Sequence, residues 1–135
     1  MRLSVLVISR TPRLLNQMLR SLSEAICLHR TDVEIICSWN GSKDEENEII
    51  NSSGYEFLIA QRSPYHFASN MNELAKKANG ELLLLINDDV ILDEGSIDNA
   101  IACIEEETQA GLIGGKLRDE SGNLTHAGIL FDSRH

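Results

Sequence analysis

The chain has 135 residues, of which 42% are hydrophobic, and its formal net charge is −9 at pH 7. This length suits one domain with a substantial core, and the acidic balance, without a block of lysine or arginine, excludes nucleic acid as a partner. An acidic protein that binds a phosphorylated ligand needs a cation as intermediary, or local backbone donors.

The cysteines and the first residues indicate a cellular location. Cys27, Cys37 and Cys103 are scattered and show neither CxxC spacing nor the even number of a disulfide framework, so we expect reduced thiols in a cytoplasmic protein. The apolar run at residues 3–8 is too short for a signal peptide or a membrane span. We therefore expect no transmembrane segment, while a peripheral position at a membrane stays open.

Hydrophobic patterning in the first sixty residues predicts three strands and one amphipathic helix. The strands are residues 3–8, 33–38 and 55–60, which are rich in apolar and β-branched side chains. Thr11 suits the helix N-cap and Pro12 the first helical position. The apolar face of this helix repeats at spacings of three and four: Leu14, Leu15, Met18, Leu19, Leu22 and Ile26. The stretch at 43–51 is polar and weakly helical.

The rest of the chain continues to alternate helices and strands. A second amphipathic helix follows a loop at 61–66 and ends at Asn79-Gly80; its apolar face is Phe67, Met71, Leu74, Ala75 and Ala78. A strand at 82–86 follows, and then a helix capped by Asp93. The apolar face of this helix is Ile97, Ala100, Ile101 and Ile104. The last predicted elements are a strand at 112–117 and a hairpin strand at 124–131. This order predicts an α/β fold with a mainly parallel, right-handed sheet flanked by helices and a C-terminal hairpin.

The acidic sequence Asn87-Asp88-Asp89 directly follows the apolar run Leu82 to Ile86. A strand that is apolar on both faces is typical of the middle of a sheet covered on both sides. Two adjacent carboxylates are costly to bury, and at the carboxyl end of such a strand they point into the crevice where α/β sheets bind ligands. Hard cations with phosphates attached take oxygen ligands of this kind. The alternative is a polar loop that caps the strand.

Several other features have an ordinary structural interpretation. The glycine-rich segment 111–117 lacks the spacing and the Ser or Thr of a phosphate loop. His126 lies in a strand pattern, where a lone histidine is more often structural than a ligand. Asn72, on a helix, usually caps or packs, and Trp39 usually contributes partly buried apolar surface.

Five short motifs occur in an order that resembles the nucleotide-sugar-binding half of the family 2 glycosyltransferases, which have the GT-A fold. Ser9-Arg10-Thr11-Pro12-Arg13 matches the family's Thr/Ser-x-Asn-Arg-like turn, and Trp39-Asn40-Gly41-Ser42 matches its Asp-Asn-Gly-Ser. Residues Phe67 to Asn72 match Phe-Ala-x-x-x-Asn, and Gly80 to Asp89 match Gly-Glu-x-Leu-Leu-x-Leu-(Asp/Asn)-Asp-Asp. The fifth motif is a glycine-containing hairpin, formed by Gly114 to Leu117, Gly122 and His126 to Gly128. The resemblance spans essentially the whole chain.

This resemblance implies a site for a nucleoside-diphosphate sugar. The position of Asp89 carries the divalent metal, Mg²⁺ or Mn²⁺, that bridges the diphosphate, and that of Asp88 contacts the ribose or joins the metal shell. The residues implied around the nucleotide are Ser9 and Arg10, which border the base, Asn40, which contacts it, and Asn72, which supports the pocket.

Two departures from the family pattern affect this assignment. Trp39 stands where an acidic residue usually reads the base, so the identity of the nucleotide stays open. If its turn borders the base, the indole of Trp39 is expected within stacking distance. Asn87 replaces the first acid of the three-residue motif, a change that the family tolerates.

The resemblance implies an inverting glycosyltransferase that transfers sugar to the hydroxyl of a saccharide or lipid-linked acceptor. In this family the general base lies in the later, acceptor-binding half. We therefore expect residues 1–135 to be a single donor-binding domain, truncated before that half. Asp132, just past the hairpin, is the remaining carboxylate placed to approach the crevice.

Three other functions are alternatives to this one. A nucleotidyltransferase of related architecture needs a glycine-rich basic loop after the first strand, which residues 9–12 lack. A phospho-receiver domain needs its acidic pair after the first strand, where this chain has none. A degenerate, non-catalytic nucleotide-binding module stays open, because the sequence offers no clear general base.

Overall fold

The structure, a computed structural model, describes residues 1–128. These residues fall into two compact units, Met1–Ile97 and a second unit that begins at Asp98. No helix in the described residues is both long and apolar enough to cross a membrane.

The first unit alternates strands and helices, as the sequence predicts. Its strands are β1 Leu3–Ser9, β2 Val33–Trp39, β3 Glu56–Arg62 and β4 Leu82–Asn87; its helices are α1 Pro12–Ala25, α2 Lys43–Glu46 and α3 Phe67–Lys77. The four strands form one parallel sheet in the order β3-β2-β1-β4. The prediction of an α/β fold with a parallel sheet is confirmed.

The expectation that the strand before the acidic pair lies mid-sheet is wrong for the described residues. All seven residues of β1 are buried, and β1 pairs with β2 on one side and β4 on the other. On β4, Leu83 and Leu85 remain 44% and 56% exposed. Both β1 and β4 are apolar runs, and only their pairing shows which one the neighbouring strands enclose.

Each face of the sheet packs against one of the longer helices. On one face, Leu6 and Ile8 of β1 and Ile36 of β2 form a buried cluster with Met71 and Leu74 of α3. Because side chains alternate along a strand, the other face carries a second set of buried residues, which meets the apolar stripe of α1. This set comprises Val5, Val7, Ile35 and Cys37 from the strands and Leu15, Met18, Leu19 and Leu22 from the helix.

The N-cap predicted for the first helix is only partly present in the structure. Thr11 occupies the N-cap position of α1 with Pro12 at the helix start, but the Thr11 side chain makes no capping hydrogen bond. The short α2 has a complete capping box between Ser42 and Glu45. In α3 the ring of His66 accepts a hydrogen bond from the backbone N–H of Ser69 at 3.3 Å.

A polar cluster fixes the start of β4 at the amino ends of the strands. Ser4 donates to Glu34 at 2.5 Å, and the backbone N–H of Asn79 donates to the same carboxylate at 2.7 Å. The backbone N–H of Gly80 donates to the Ser4 hydroxyl at 2.8 Å. Burial favours the neutral Glu34, but the hydrogen bonds from Ser4 and Asn79 outweigh it and lower the pKa of its carboxyl.

The second unit contains most of α4, Ser96–Glu106, and a short antiparallel hairpin of β5, Leu117–Arg118, and β6, Leu124–His126. The hairpin is confirmed, but the predicted strand at 112–117 is wrong except at its last residue. Glycines at 111, 114 and 115 weaken strand formation, and Leu112 is 88% exposed. The end of the predicted hairpin strand, residues 129–131, lies outside the described residues.

Candidate functional site

A cleft of about 400 Å³ opens in the first unit where the parallel strands end. Four neighbouring strand ends and the following loops contribute to it, as expected for the ligand crevice of an α/β sheet. The lining residues are Ile8, Ser9, Arg10, Thr11, Leu14, Asn40, Tyr65, Phe67, Asn87, Asp88 and Asp89. Five of the sequence-predicted site residues therefore share one cleft: Ser9, Arg10, Asn40, Asp88 and Asp89.

Ser9 connects the acidic pair to the start of α1. Its hydroxyl donates a 2.6 Å hydrogen bond to Oδ2 of Asp88 and accepts a 3.3 Å hydrogen bond from the backbone N–H of Thr11. Ser9 is buried, so water competes little for these bonds. One oxygen of Asp88 is thereby fixed by the Ser9 hydroxyl.

Burial raises the pKa of the Asp88 carboxyl, and the neighbouring Asp89 carboxylate raises it further. The Ser9 hydrogen bond, a hydrogen bond from the Asp88 backbone and the Arg10 guanidinium all lower this pKa but do not reverse the shift. Asp88 thus carries its charge at an energetic cost that a bound cation would relieve. Asp89 is exposed at the cleft.

The segment after the acidic pair is attached to α1 at two points. The backbone N–H of Leu92 donates to the buried Ser21 hydroxyl at 3.0 Å, and Ser21 in turn donates to the Met18 carbonyl at 2.8 Å. The N–H of Gly95 donates to the Glu24 carbonyl at 3.0 Å. Asp88 and Asp89 therefore lie on a loop that is held at both ends.

Asn40 lies at the end of β2, next to the end of β1. Its backbone N–H donates to the Ser9 carbonyl at 2.8 Å, and its side-chain Nδ2 donates to the Ser63 carbonyl. Within residues 1–128 its Oδ1 is buried and has no hydrogen-bond partner. The amide group is thus held by its nitrogen, with its acceptor oxygen unused.

The structure places Asn70, rather than Asn72, in the polar network beneath the cleft. Asn72 is exposed on α3 and does not line the cleft. Asn70 is 3% exposed and donates to the hydroxyls of Ser38 and Ser63 at 2.7 and 2.9 Å, while its Oδ1 accepts from the N–H of His66 at 2.8 Å. Two helix positions separate the asparagines by about 200°, so they point in nearly opposite directions.

Trp39 is a core residue rather than part of the cleft wall. It is 1% exposed, its Nε1 donates to the Ser42 carbonyl at 3.0 Å, and it does not line the cleft. Burying so large an apolar ring stabilises the fold, provided that its polar N–H finds a partner. The expectation that the indole presents a stacking surface to the base does not fit this placement.

Tyr65 and Phe67 line the cleft although sequence reasoning did not select them. They are 65% and 45% exposed. An aromatic pair that follows a strand by only a few residues is a usable sequence signal, since that loop must reach the same sheet edge as the acidic pair. Phe67 was instead assigned to the apolar face of a helix.

The remaining candidates lie elsewhere. Cys37 is buried beneath the cleft, and burial together with the charge of Asp88 raises the pKa of its thiol to about 12, so it is not a nucleophile. His126 is an exposed residue of β6. Asp132 lies outside the described residues.

The acidic pair fits a cation that is shared with a phosphorylated ligand. Residues 1–128 contain no group of three or more His, Cys, Asp or Glu side chains that could hold a metal by themselves. Mg²⁺ commonly uses one or two carboxylates and completes its shell with phosphate and water oxygens. The carboxylates of the exposed Asp89 and of Asp88 meet this requirement, with the Asn87 amide nearby at the cleft.

Comparison with known proteins defines the class to which the fold and cleft belong. The family model for glycosyl transferase family 2 matches residues 5–127. The chain therefore belongs to the family 2 glycosyltransferases, and the resemblance inferred from its motifs is confirmed.

Two known proteins are similar to this chain in sequence. The chain is 32% identical over 68 residues to the O-antigen biosynthesis protein RfbC of Myxococcus xanthus, a match that covers 50% of this chain and 5% of that protein. It is 27% identical over 121 residues to the uncharacterized protein y4gI of Sinorhizobium fredii (strain NBRC 101917 / NGR234), which covers 84% of this chain and 13% of that protein. The chain thus spans a small part of these relatives.

Solved structures of S. aureus TarS share the fold. The crystal structure of TarS 1–349 in complex with UDP superposes with a TM-score of 0.67 at 21% identity, and the match covers 80% of this chain and 33% of that one. The complex of TarS 1–349 with UDP-GlcNAc gives the same TM-score and identity. This similarity confirms the GT-A architecture expected from the sequence.

Proposed function

We propose that this chain binds a nucleoside-diphosphate sugar in the cleft, through a divalent cation held by Asp89, as the donor-binding part of an inverting glycosyltransferase. The observation that supports this most is the acidic pair at the sheet edge, with Asp88 fixed by Ser9. In a protein with a net charge of −9, a diphosphate approaches such a pair only with a cation between them.

Four cleft residues have roles in this proposal. Asp89 and Asp88 would hold Mg²⁺ or Mn²⁺, or Asp88 would accept a hydrogen bond from a ribose hydroxyl. A bound ion of this kind stabilises negative charge on a leaving diphosphate. Arg10, exposed at the cleft, adds a positive charge beside the phosphates, and Asn40, which lines the cleft at the end of β2, contacts the base.

The proposed reaction also needs a group that deprotonates the acceptor hydroxyl, a contribution of about 10²–10⁴-fold. Among the described residues, Asp88 and Asp89 are the carboxylates that line the cleft, and both are assigned to the donor. The general base and the saccharide or lipid-linked acceptor site are therefore expected outside residues 1–128. The chain covers about a third of the TarS structure that it matches.

Calorimetry tests the binding step. UDP, dTDP and GDP are titrated into the protein with Mg²⁺, with Mn²⁺ and with EDTA, and we expect micromolar-to-millimolar affinity for one of them that is lost in EDTA. Asp89→Asn should abolish the metal-dependent component. Asp93→Asn, which removes an exposed carboxylate outside the cleft lining, is the matched control. Equal nucleotide affinity with metal and with EDTA would show that Asp89 does not bind the nucleotide through a cation.

A turnover assay separates a donor site from a complete enzyme. Release of nucleoside diphosphate from a panel of sugar donors is measured with and without an acceptor mixture. We expect trace, metal-dependent hydrolysis and no acceptor-dependent rate from residues 1–135. A robust acceptor-dependent rate that disappears in Asp132→Asn would show instead that the chain is a complete minimal enzyme.

A further inference from the structure

Tyr65 is the most exposed aromatic side chain in the cleft. It is 65% exposed, and it lies in the loop between β3 and α3. Aromatic rings gain from burial and from contact with other flat groups. We propose that Tyr65 is the surface on which the base of the nucleotide stacks. This inference rests on the proposed function and assigns the base-binding end of the same cleft.

The strand order fixes which end of the cleft Tyr65 occupies. Along the carboxyl edge the order is β3, β2, β1 and β4, so the Tyr65 loop and the Asp88–Asp89 loop leave the described sheet at opposite edges. Three strand spacings separate β3 from β4, which amounts to about 14 Å. An extended nucleoside diphosphate held by its phosphates at Asp89 therefore carries its base toward Asn40 and Tyr65.

The loop that carries Tyr65 is braced rather than loose. Ser63 and His66, on either side of the Pro64-Tyr65 pair, both hydrogen-bond to the buried side chain of Asn70. The Ser63 carbonyl also accepts from Nδ2 of Asn40 at the end of β2. An exposed ring on a loop fixed at both flanks is pre-organised, which reduces the entropy that binding must overcome.

The other side chains near the proposed base position are less suitable for stacking than Tyr65. The turn after β1 offers Arg10 and Thr11, neither of which is aromatic. Trp39 is buried with its ring in the core. Phe67 is 45% exposed and is the first residue of α3, so its backbone is committed to the helix, whereas Tyr65 lies in the loop that Asn40 contacts.

The test compares two ligands and three variants. UDP and inorganic pyrophosphate, each with Mg²⁺, are titrated into the wild-type chain, Tyr65→Ala, Tyr65→Phe and the control Ile50→Ala, which truncates a side chain of similar exposure outside the cleft. We expect Tyr65→Ala to weaken UDP binding roughly 5- to 150-fold, the range for one base on one aromatic ring. Pyrophosphate binding should stay within about twofold of wild type.

Tyr65→Phe keeps the ring and should bind UDP like the wild type, as should Ile50→Ala. Unchanged UDP binding in Tyr65→Ala, an equal loss of UDP and pyrophosphate, or a loss in Tyr65→Phe as large as in Tyr65→Ala would each overturn the stacking role. A wild-type chain that binds pyrophosphate but no nucleotide would overturn it while leaving the metal site in place. Failure to bind either ligand would refute the proposed function itself.

Discussion

The hydroxyl of Ser9 and the carboxylate of Asp88 are joined by a 2.6 Å hydrogen bond across the ends of two neighbouring strands, β1 and β4. The residues are 79 positions apart in the chain. Because Ser9 also accepts from the N–H of Thr11, its hydroxyl is oriented before any ligand arrives. The acidic pair is thus positioned by the central strand and not only by its own loop.

Removal of this hydroxyl should weaken the cleft rather than the fold. In Ser9→Ala we expect metal-dependent UDP binding to fall about tenfold, the equivalent of one charge-assisted hydrogen bond. The bond lowers the pKa of Asp88, so its loss should also move the acid limb of the binding profile to higher pH. Ser9→Thr, which keeps a hydroxyl, should restore both. A pH-independent loss of binding in Ser9→Ala would indicate a merely structural role.

The charge of Asp88 should cost stability in the absence of ligand. Its pKa is raised in the folded protein, so its contribution to stability is fully present below the unfolded pKa and is lost as pH rises through the folded pKa. We expect Asp88→Asn to raise the melting temperature by about 2–3 °C at pH 7. The difference should vanish at low pH, where the wild-type carboxyl is protonated. A lower melting temperature at pH 7 would contradict this assignment.

Glu34 should contribute stability with the opposite pH dependence. Its folded pKa is lowered, so its contribution is present above the unfolded pKa and is lost as pH falls through the folded pKa. Glu34→Gln can keep an oxygen toward Ser4 and the backbone N–H of Asn79, but its N–H₂ group then faces Nδ2 of Asn79, so we expect a cost of about 1 kcal/mol at pH 7. Urea unfolding from pH 7 to pH 3 should show the gap closing. Glu48→Gln, on the surface, should show no such gap.

Gly80 should tolerate no side chain. A Cβ there would lie 2.7 Å from the carbonyl carbon of Leu3 and closer still to the backbone nitrogen of Ser4, and backbone atoms cannot move aside as a flexible side chain can. We expect Gly80→Ala to destabilise the protein by about 3 kcal/mol, measured by urea unfolding. Gly114→Ala is the matched control, because nothing lies within 4 Å of its added Cβ. Equal stability of the two variants would contradict this packing.

The elements of the first unit were predictable because their signals are local. The apolar spacing of α1 and the β-branched run of β2 depend on neighbours in sequence, and both elements form where the pattern indicates. The edge position of β4 was not predictable, since Leu82 to Ile86 reads like the enclosed β1. Strand order depends on pairing between distant residues, which composition does not encode.

The candidate site was predictable to a similar degree. The strand-end rule assigned Asp88 and Asp89 to the crevice, and the family resemblance added Ser9 and Asn40, which line the same cleft. Asn72 was taken from the family motif, although the apolar face of Phe67, Met71 and Leu74 already turns Asn70 toward the sheet. Tyr65 was missed because a loop aromatic carries no periodic signal.

The central claim is that nucleotide and metal bind together in this cleft. Paramagnetic NMR tests this claim most directly. In an amide spectrum with UDP, substoichiometric Mn²⁺ replaces Mg²⁺, and the same titration is made without UDP. We predict UDP-dependent broadening of the amides of Ser9, Arg10 and Asp89, while Glu34 and Asn79, at the opposite ends of the strands, stay sharp. Broadening that is the same without UDP, or that centres away from the cleft, would contradict the account.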